Sequence, residues 1–150
     1  KFRRGAEGYV LDPFAYVMVN GSEVREKVIL KNGDLIELTG GIRINFVKPH
    51  PLSASARLDF ESRHRTQPWS DSVLLLAESC VLGPNMRNHV VCRKWSEDLL
   101  VFRKNGRLFC KSSNPVRVDG CIIEGPGELR PDSHIEGEDF SMKLEPLSSV

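Results

Sequence analysis

The sequence has little to build a membrane span, a signal or a charged face from. No stretch approaches the roughly 20 apolar residues of a membrane-spanning helix, and the longest candidate, residues 73–82, is broken by Glu78 and Ser79. The chain opens on Lys1-Phe2-Arg3-Arg4-Gly5, without the apolar segment of a secretory signal. It has no initiator Met, and the natural protein is expected to be longer at its N terminus. Charge of one sign is also missing: 21 Lys and Arg stand against 20 Asp and Glu, a formal net charge of +1. That balance gives no basic face for nucleic acid or for an anionic membrane. The cluster of Lys1, Arg3 and Arg4 reads as a solvated face.

Cysteine is sparse and scattered. Cys80, Cys92, Cys110 and Cys121 stand singly in apolar runs, with no CxxC pair. His50, His64, His89 and His134 are isolated as well, so zinc-ligand spacing is absent. The cysteines are read as reduced, buried and structural, because a free Cys behaves as a small hydrophobe; an extracellular disulfide framework is the alternative. The expected location is intracellular, in the cytoplasm. The chemistry-bearing motifs are missing too. There is no Gly-x-Ser-x-Gly elbow, no phosphate-binding Gly-rich loop before a helix and no HExxH. Asp12, Asp34, Asp59 and Glu78 are scattered, with no carboxylate pair placed for acid and base work. His89 and Cys92 are three apart, on opposite faces of a strand. No catalytic residue, metal site or cofactor is expected, and the protein is not read as an enzyme.

What is present is a packed β protein. Charged residues are 27% and the hydrophobic set 40% of 150 residues, the composition of one globular domain or two small ones. Short β-branched or aromatic runs at Gly8–Leu11, 16–19, 27–30, Leu35–Leu38 and Ile42–Val47 are separated by Asp-Pro, Asn-Gly and Gly-Gly. Asn20-Gly21 and Lys31-Asn32-Gly33-Asp34 are hairpin-type turns, since Asn and Gly tolerate positive φ. Ile42, Ile44 and Phe46 alternate with Arg43 and Asn45, giving one buried and one wet face. Pro49-His50-Pro51 interrupts the pattern and makes 49–55 a linker. Alternation resumes at Ala56–Phe60, and the polar span 61–71, with Trp69 inside it, reads as a surface loop. Strands are then expected at 73–77, 80–82, 89–93, 99–102, 107–110, Val116–Val118, Cys121–Ile123, 133–135 and 140–144. No segment offers a helical period.

The two halves align at an ungapped offset of 99 residues. Val17, Val19, Gly21, Leu30 and Ile36 fall on Val116, Val118, Gly120, Leu129 and Ile135, and Asn20 falls on Asp119. After small gaps Pro51-Leu52-Ser53 matches Pro146-Leu147-Ser148. The expected division is therefore 1–48 as the C-terminal half of a unit, 49–55 as linker and 56–147 as a complete unit. Half a sandwich leaves an edge uncovered, so an upstream segment, a second chain or the second unit is expected to complete residues 1–48.

The order of short motifs resembles the forkhead-associated (FHA) domain. Leu82-Gly83 is followed by Asn88-His89-Val90, then Ser112-Ser113-Asn114 and Val118-Asp119-Gly120. In the first half Val19-Asn20-Gly21 precedes Leu30-Lys31-Asn32-Gly33-Asp34-Leu35-Ile36. The resemblance implies an all-β, mostly antiparallel sandwich, eleven-stranded in that family, whose loops at one end bind phosphothreonine peptides. Carried onto this chain, it implies a peptide-binding set of Arg87, Asn88, Ser112, Ser113 and Asn114, with Gly83 and His89 bracing the loops. The departures fall on the chemistry. A phosphate dianion wants a charge-assisted Arg and nearby hydroxyl or amide donors. Here Pro84 stands where the family has Arg, Met86 where it has Ser, and Pro115 where it has the Gly after Asn. Arg87 is the candidate replacement, with Lys111 or Arg107 assisting. Against this, Arg87 also reads as a solvated loop residue, His89 as architecture, and Ser112, Ser113 and Asn114 as turn formers. Two readings result: an FHA-like module binding a peptide or protein, or a structural and assembly module with no phosphopeptide site.

Overall fold

The computed structural model describes residues 1–147, so Ser148 of the second Pro-Leu-Ser lies outside the described residues. The fold is all-β, built of sheets that are antiparallel but for one short pair. The chain divides into two compact units, Lys1–Leu75 and the residues from Leu76 onward. Among the described residues no helix is long and apolar enough to cross a membrane.

In the first unit the strands are β1 (Phe2–Gly5), β2 (Gly8–Leu11), β3 (Val17–Val19), β4 (Ser22–Glu23), β5 (Val28–Ile29), β6 (Leu35–Leu38), β7 (Ile42–Val47), β8 (Ala56–Phe60) and β9 (Ser72–Leu75). They form a sheet of order β1-β2-β5 and a second of order β4-β3-β6-β7-β8-β9. Asn20 and Gly21 close β3 on β4 with φ of 52° and 78°, the positive pair that a tight hairpin needs. The turn at 31–34 instead carries the chain from β5 in one sheet to β6 in the other. Alternation does the rest: Ile44 and Phe46 of β7 and Ala56 and Leu58 of β8 point inward, joining Tyr9, Leu11 and Leu30 of the other sheet in one core. That shared core makes the unit a sandwich. The Tyr9 ring lies 5.7 Å from that of Phe46. Its hydroxyl is 2.8 Å from the carbonyl oxygen of Ala54 and 2.9 Å from that of Leu75, so its one proton serves both ends of the β8–β9 hairpin.

The division expected from sequence is corrected here. Residues 49–55 are a connection between two strands of one sheet, not a linker between units. Pro49-His50-Pro51 turns the chain, with Ser53 N donating to the His50 carbonyl and Leu52 N to His50 Nδ1. β8 then returns antiparallel to β7, Phe46 opposite Leu58 and Asn45 opposite Asp59. The physical reason is burial: Ile44 and Phe46 need cover, and the inward residues of β8 and β9 supply it. Residues 56–75 accordingly complete the first unit, and the second begins at Leu76.

The second unit contains β10 (Ser79–Gly83), β11 (Val90–Val91), β12 (Leu99–Lys104), β13 (Arg107–Ser112), β14 (Val116–Val118), β15 (Cys121–Ile123), β16 (Gly127–Leu129), β17 (His134–Glu136) and β18 (Ser141–Lys143). One sheet has the order β11-β10-β12-β13-β16, with β10 and β11 parallel; the other is β15-β14-β17-β18. Gly127 lets the two sheets close up. A Cβ there would meet Ile123 Cδ1 at 2.6 Å and Val118 Cγ2 at 3.4 Å. Cys80 and Cys110 are buried, and burial pushes both thiols up to about 11, which keeps them protonated and inert. Cys92 is half-buried and Cys121 exposed, so the expectation of four buried cysteines holds for two. All four are free thiols.

The 99-residue spacing recurs in the strand registers. Val19 faces Ile36 as Val118 faces Ile135, and Leu11 faces Val28 as Cys110 faces Gly127. The turn chemistry recurs with it. The Asn20 side-chain oxygen accepts from Leu35 N at 2.9 Å, and Asp119 Oδ1 accepts from His134 N at 2.8 Å. In both units the residue before that strand reaches back to the turn: Asn20 Nδ2 donates to Asp34, and Ser133 Oγ donates to Asp119. β7 and β18 are equivalent with one residue fewer between them, since Ile36 faces Ile44 and Ile135 faces Met142. Their surroundings differ: β7 is paired on both sides, whereas β18 pairs only with β17 among the described residues.

These carboxylates make the fold acid-sensitive. The His134 amide and the Ser133 hydroxyl hold Asp119 below its usual 3.8. Burial of Asp59 works against ionisation, but hydrogen bonds from Arg57 and Ser72, with the Arg57 charge, win and lower it too. A lowered folded-state value means stability that is present above the unfolded value and lost as pH falls through the folded one. Urea midpoints are therefore expected to hold from pH 7 down to about 4 and to fall below it. Asp119→Asn should flatten the acid limb of the second unit; an unchanged limb in that variant would rule the turn out as its source.

Candidate functional site

The loops singled out in the sequence leave β10 at Gly83 and β13 at Ser112. Gly83 is required by close approach. A Cβ on it would fall 2.0 Å from Asp98 Oδ1, 2.9 Å from the Asp98 Cα and 2.9 Å from Asn88 Nδ2. Asn88 is buried and donates to Asp98 Oδ1 at 2.6 Å. His89, also buried, accepts the Val81 amide on Nδ1 at 3.0 Å, which places any ring proton of a neutral imidazole on Nε2. Cys92 N donates to the Gly83 carbonyl at 2.8 Å, closing the loop on the strand it left. Within the loop, Asn85 Oδ1 accepts from Arg87 N and the Asn85 carbonyl from Asn88 N. Such a side-chain-backed turn is rigid without a core.

The second loop is tied to the same acid-bearing segment. Ser112 Oγ donates to the Asp98 carbonyl at 3.0 Å, and Asn114 N donates to Glu97 Oε2 at 3.0 Å. Ser96 N in turn donates to Asp139 Oδ2 at 2.6 Å. Trp95 stacks on Phe140 with centroids 3.9 Å apart and planes 14° from parallel. Gly137 makes room for that ring, because a Cβ there would lie 2.1 Å from Phe140 Cε1. Beside Asn114 and Pro115 runs a groove of about 300 Å³, with Val116 and Ile122 on its apolar side and Glu136 and Glu138 among its polar groups.

No protein-family model, curated protein or solved structure matches this chain. The arrangement of the candidate residues therefore stands on its own geometry.

Gly83, Asn88 and Ser112 are brought together around Asp98, Asn114 joins them through Glu97, and His89 is bonded instead to Val81 of β10. Arg87 and Ser113 are exposed and stay outside this network; the Arg87 guanidinium has no ion pair among the described residues. Sequence reasoning missed Glu97, Asp98 and Asp139, which tie the loops, and the Trp95–Phe140 stack beneath them. Ser96-Glu97-Asp98 reads as an ordinary turn before β12, and nothing in its spacing marks two of its residues as loop braces. The electrostatic outcome matters. The Asn114 amide, a donor that a phosphate would want, is already taken by a carboxylate. Among the described residues no three His, Cys, Asp or Glu side chains gather as a metal-ligand set.

Proposed function

We propose that the chain is a non-enzymatic interaction module of forkhead-associated type, working inside the cell, that binds a peptide or protein through the loops 83–88 and 111–115. The observation that carries this reading is the bracing of both loops onto Glu97 and Asp98 beside an open groove. Loops fixed before a ligand arrives lose little ordering entropy on binding, which is what a recognition surface gains from such internal bonds. Phosphothreonine is the ligand the family resemblance suggests. Arg87, exposed and without an ion pair among the described residues, is the cation available for it. Glu97 on the Asn114 amide works against it by occupation and by like charge. Phosphate therefore contributes modestly to affinity in this reading.

Titration with a degenerate phosphothreonine peptide library and its unphosphorylated counterpart tests it. Both libraries are expected to bind, with affinities within about tenfold, or ~1.4 kcal/mol, of each other. Arg87→Ala should abolish the difference, and Glu97→Gln, which removes the negative charge beside Asn114, should widen it. If neither library nor any protein segment binds at these loops, the proposal fails.

A further inference from the structure

Four hairpins among the described residues close on two-residue turns. Their closing pairs are Gly5 with Gly8, Val19 with Ser22, Val118 with Cys121, and Lys104 with Arg107. The first three pairs are uncharged; the last sets two cations face to face. Asn105 and Gly106 hold φ of 51° and 73°, the tight geometry that brings the ends of β12 and β13 directly opposite each other. Side chains opposed in this way start about 5 Å apart, and like charges there destabilise the hairpin. The repeat supplies the neutral alternative. At the 99-residue spacing Lys104 and Arg107 stand where the first unit has Gly5 and Gly8, so the fold does not need charge at this place.

Little on the protein offsets the repulsion. Glu128 of β16 lies 3.5 Å from Arg107, but the two side chains are 46% and 68% exposed, which makes the pair a weak one. Lys104 has no ion pair among the described residues. Arg103, its neighbour in the chain, points to the other face of β12, as alternation requires.

Both cations line an open cavity of about 400 Å³, together with Asn105, Phe109 and Pro126. That volume suits a small organic molecule and is more than a bare inorganic anion fills. Phe109 supplies an apolar wall. Its ring is half-buried and stacked on Phe102, with centroids 5.7 Å apart and planes 21° from parallel, so it is held before any ligand arrives. Phe109 shares its face of β13 with Arg107 and lies two residues, about 7 Å, further along the strand. A ligand that uses both must carry its anion and its flat group a similar distance apart. A phosphate placed directly on a ring, as in phosphotyrosine, is too short; the sugar of a nucleotide is the spacer that the geometry asks for.

We propose that the cavity at the β12–β13 hairpin is a mononucleotide site, with the phosphate between Lys104 and Arg107 and the base against Phe109. Two cations that meet one phosphate exchange their mutual repulsion for charge-assisted hydrogen bonds. A base stacks on an aromatic side chain whatever its identity, so the class of ligand is set here and the base is not. The site lies at the end of β12 remote from Asp98, and it is independent of peptide binding at the loops 83–88 and 111–115.

Titration of the full chain with AMP, adenosine and inorganic phosphate tests it. AMP is expected to bind at least about tenfold more tightly than either fragment, more tightly than O-phosphotyrosine, and less tightly as salt is added. Phe109→Leu should weaken AMP about fivefold or more and leave phosphate unchanged. Glu128→Gln, which releases Arg107, should tighten both. The decisive variant is Lys104→Glu. It sets an unlike charge opposite Arg107, so the urea midpoint should hold or rise while AMP binding falls at least about tenfold. AMP no tighter than its fragments, AMP binding indifferent to Lys104→Glu, or a loss of binding that comes with a loss of stability overturns the proposal. So does a single-stranded oligonucleotide that binds this cavity more tightly than AMP, which would make the ligand a polynucleotide.

Discussion

Phe46→Ala is expected to destabilise the first unit by about 3–5 kcal/mol, the usual cost of emptying an aromatic site in a core. Phe46 is fully buried, faces Leu58 on β8 and packs against the Tyr9 ring of the opposite sheet. Its backbone is also committed: Phe46 N donates to the Asp34 carbonyl and Gly33 N donates to the Phe46 carbonyl, so the strand cannot slide to fill the hole. The informative control is Leu144→Ala. Leu144 is the equivalent residue of the second unit but is only half-buried, because β18 has no strand beyond it among the described residues. Its loss should cost roughly 1–2 kcal/mol, less area being returned to water. Urea unfolding can separate the two, since Trp69 belongs to the first unit and Trp95 to the second. Equal costs at the two positions would mean that β8 and β9 do not supply the cover assigned to them.

Gly83→Ala is expected to damage the loops and the fold together. The added methyl would sit on Asp98, at 2.0 Å from Oδ1 and 2.9 Å from Cα, and the second of these is backbone that cannot swing aside. Overpacking of this kind costs about 1–3 kcal/mol. The larger effect falls on geometry. To relieve the clash Asp98 must move, and with it the bonds it makes to Asn88 and Ser112. Any ligand of these loops should then bind at least about tenfold more weakly, since the loops must be ordered at the moment of binding. Glu124→Ala, on an exposed residue of the same unit outside both loops, serves as the neutral comparison. Gly83→Ala with wild-type stability and wild-type peptide affinity would show that Asp98 does not organise the site.

Several features were legible because one residue type decides them locally. Asn20-Gly21 announced a hairpin turn, the repeat set Asp119-Gly120 at the matching place, and both pairs hold positive φ. The alternation of Ile42–Val47 gave the face of β7, and the 99-residue spacing gave registers that recur in both units. The unit boundary was not legible. Pro49-His50-Pro51 looks the same whether it ends a domain or turns a strand back on its neighbour, and Ala56–Phe60 alternates equally well beside either acceptor. Which strand it joins depends on non-local burial of Ile44 and Phe46 and on the reach of the Tyr9 hydroxyl. β1, β4 and β16 were missed because short strands made of Arg, Ser, Glu and Gly carry no β signal of their own and pair only because a neighbour's edge is there. At the site, Gly83, Asn88 and His89 could be found by their order along the chain. Glu97 and Asp98 could not, since an acid that braces a loop is written like an acid that faces water.

The phenol of Tyr9 also changes how the first unit is connected. By touching the carbonyls of both Ala54 and Leu75, it turns the excursion between them into a closed ring fastened at one point. The far side of that ring is the span 61–71, which begins on β7, with Glu61 N donating to the Arg43 carbonyl and Arg43 N to Ser62 Oγ, and is then tied to itself: Arg65 donates to Asp71 and to the Ser62 and His64 carbonyls, with its guanidinium 5.2 Å from the Trp69 ring. Covalent continuity through 61–71 is therefore not what keeps β8 and β9 on β7. The tip of that span, beyond Ser62 and before Asp71, can change with less consequence for the sheet than its two ends, which are bonded to β7 and β8.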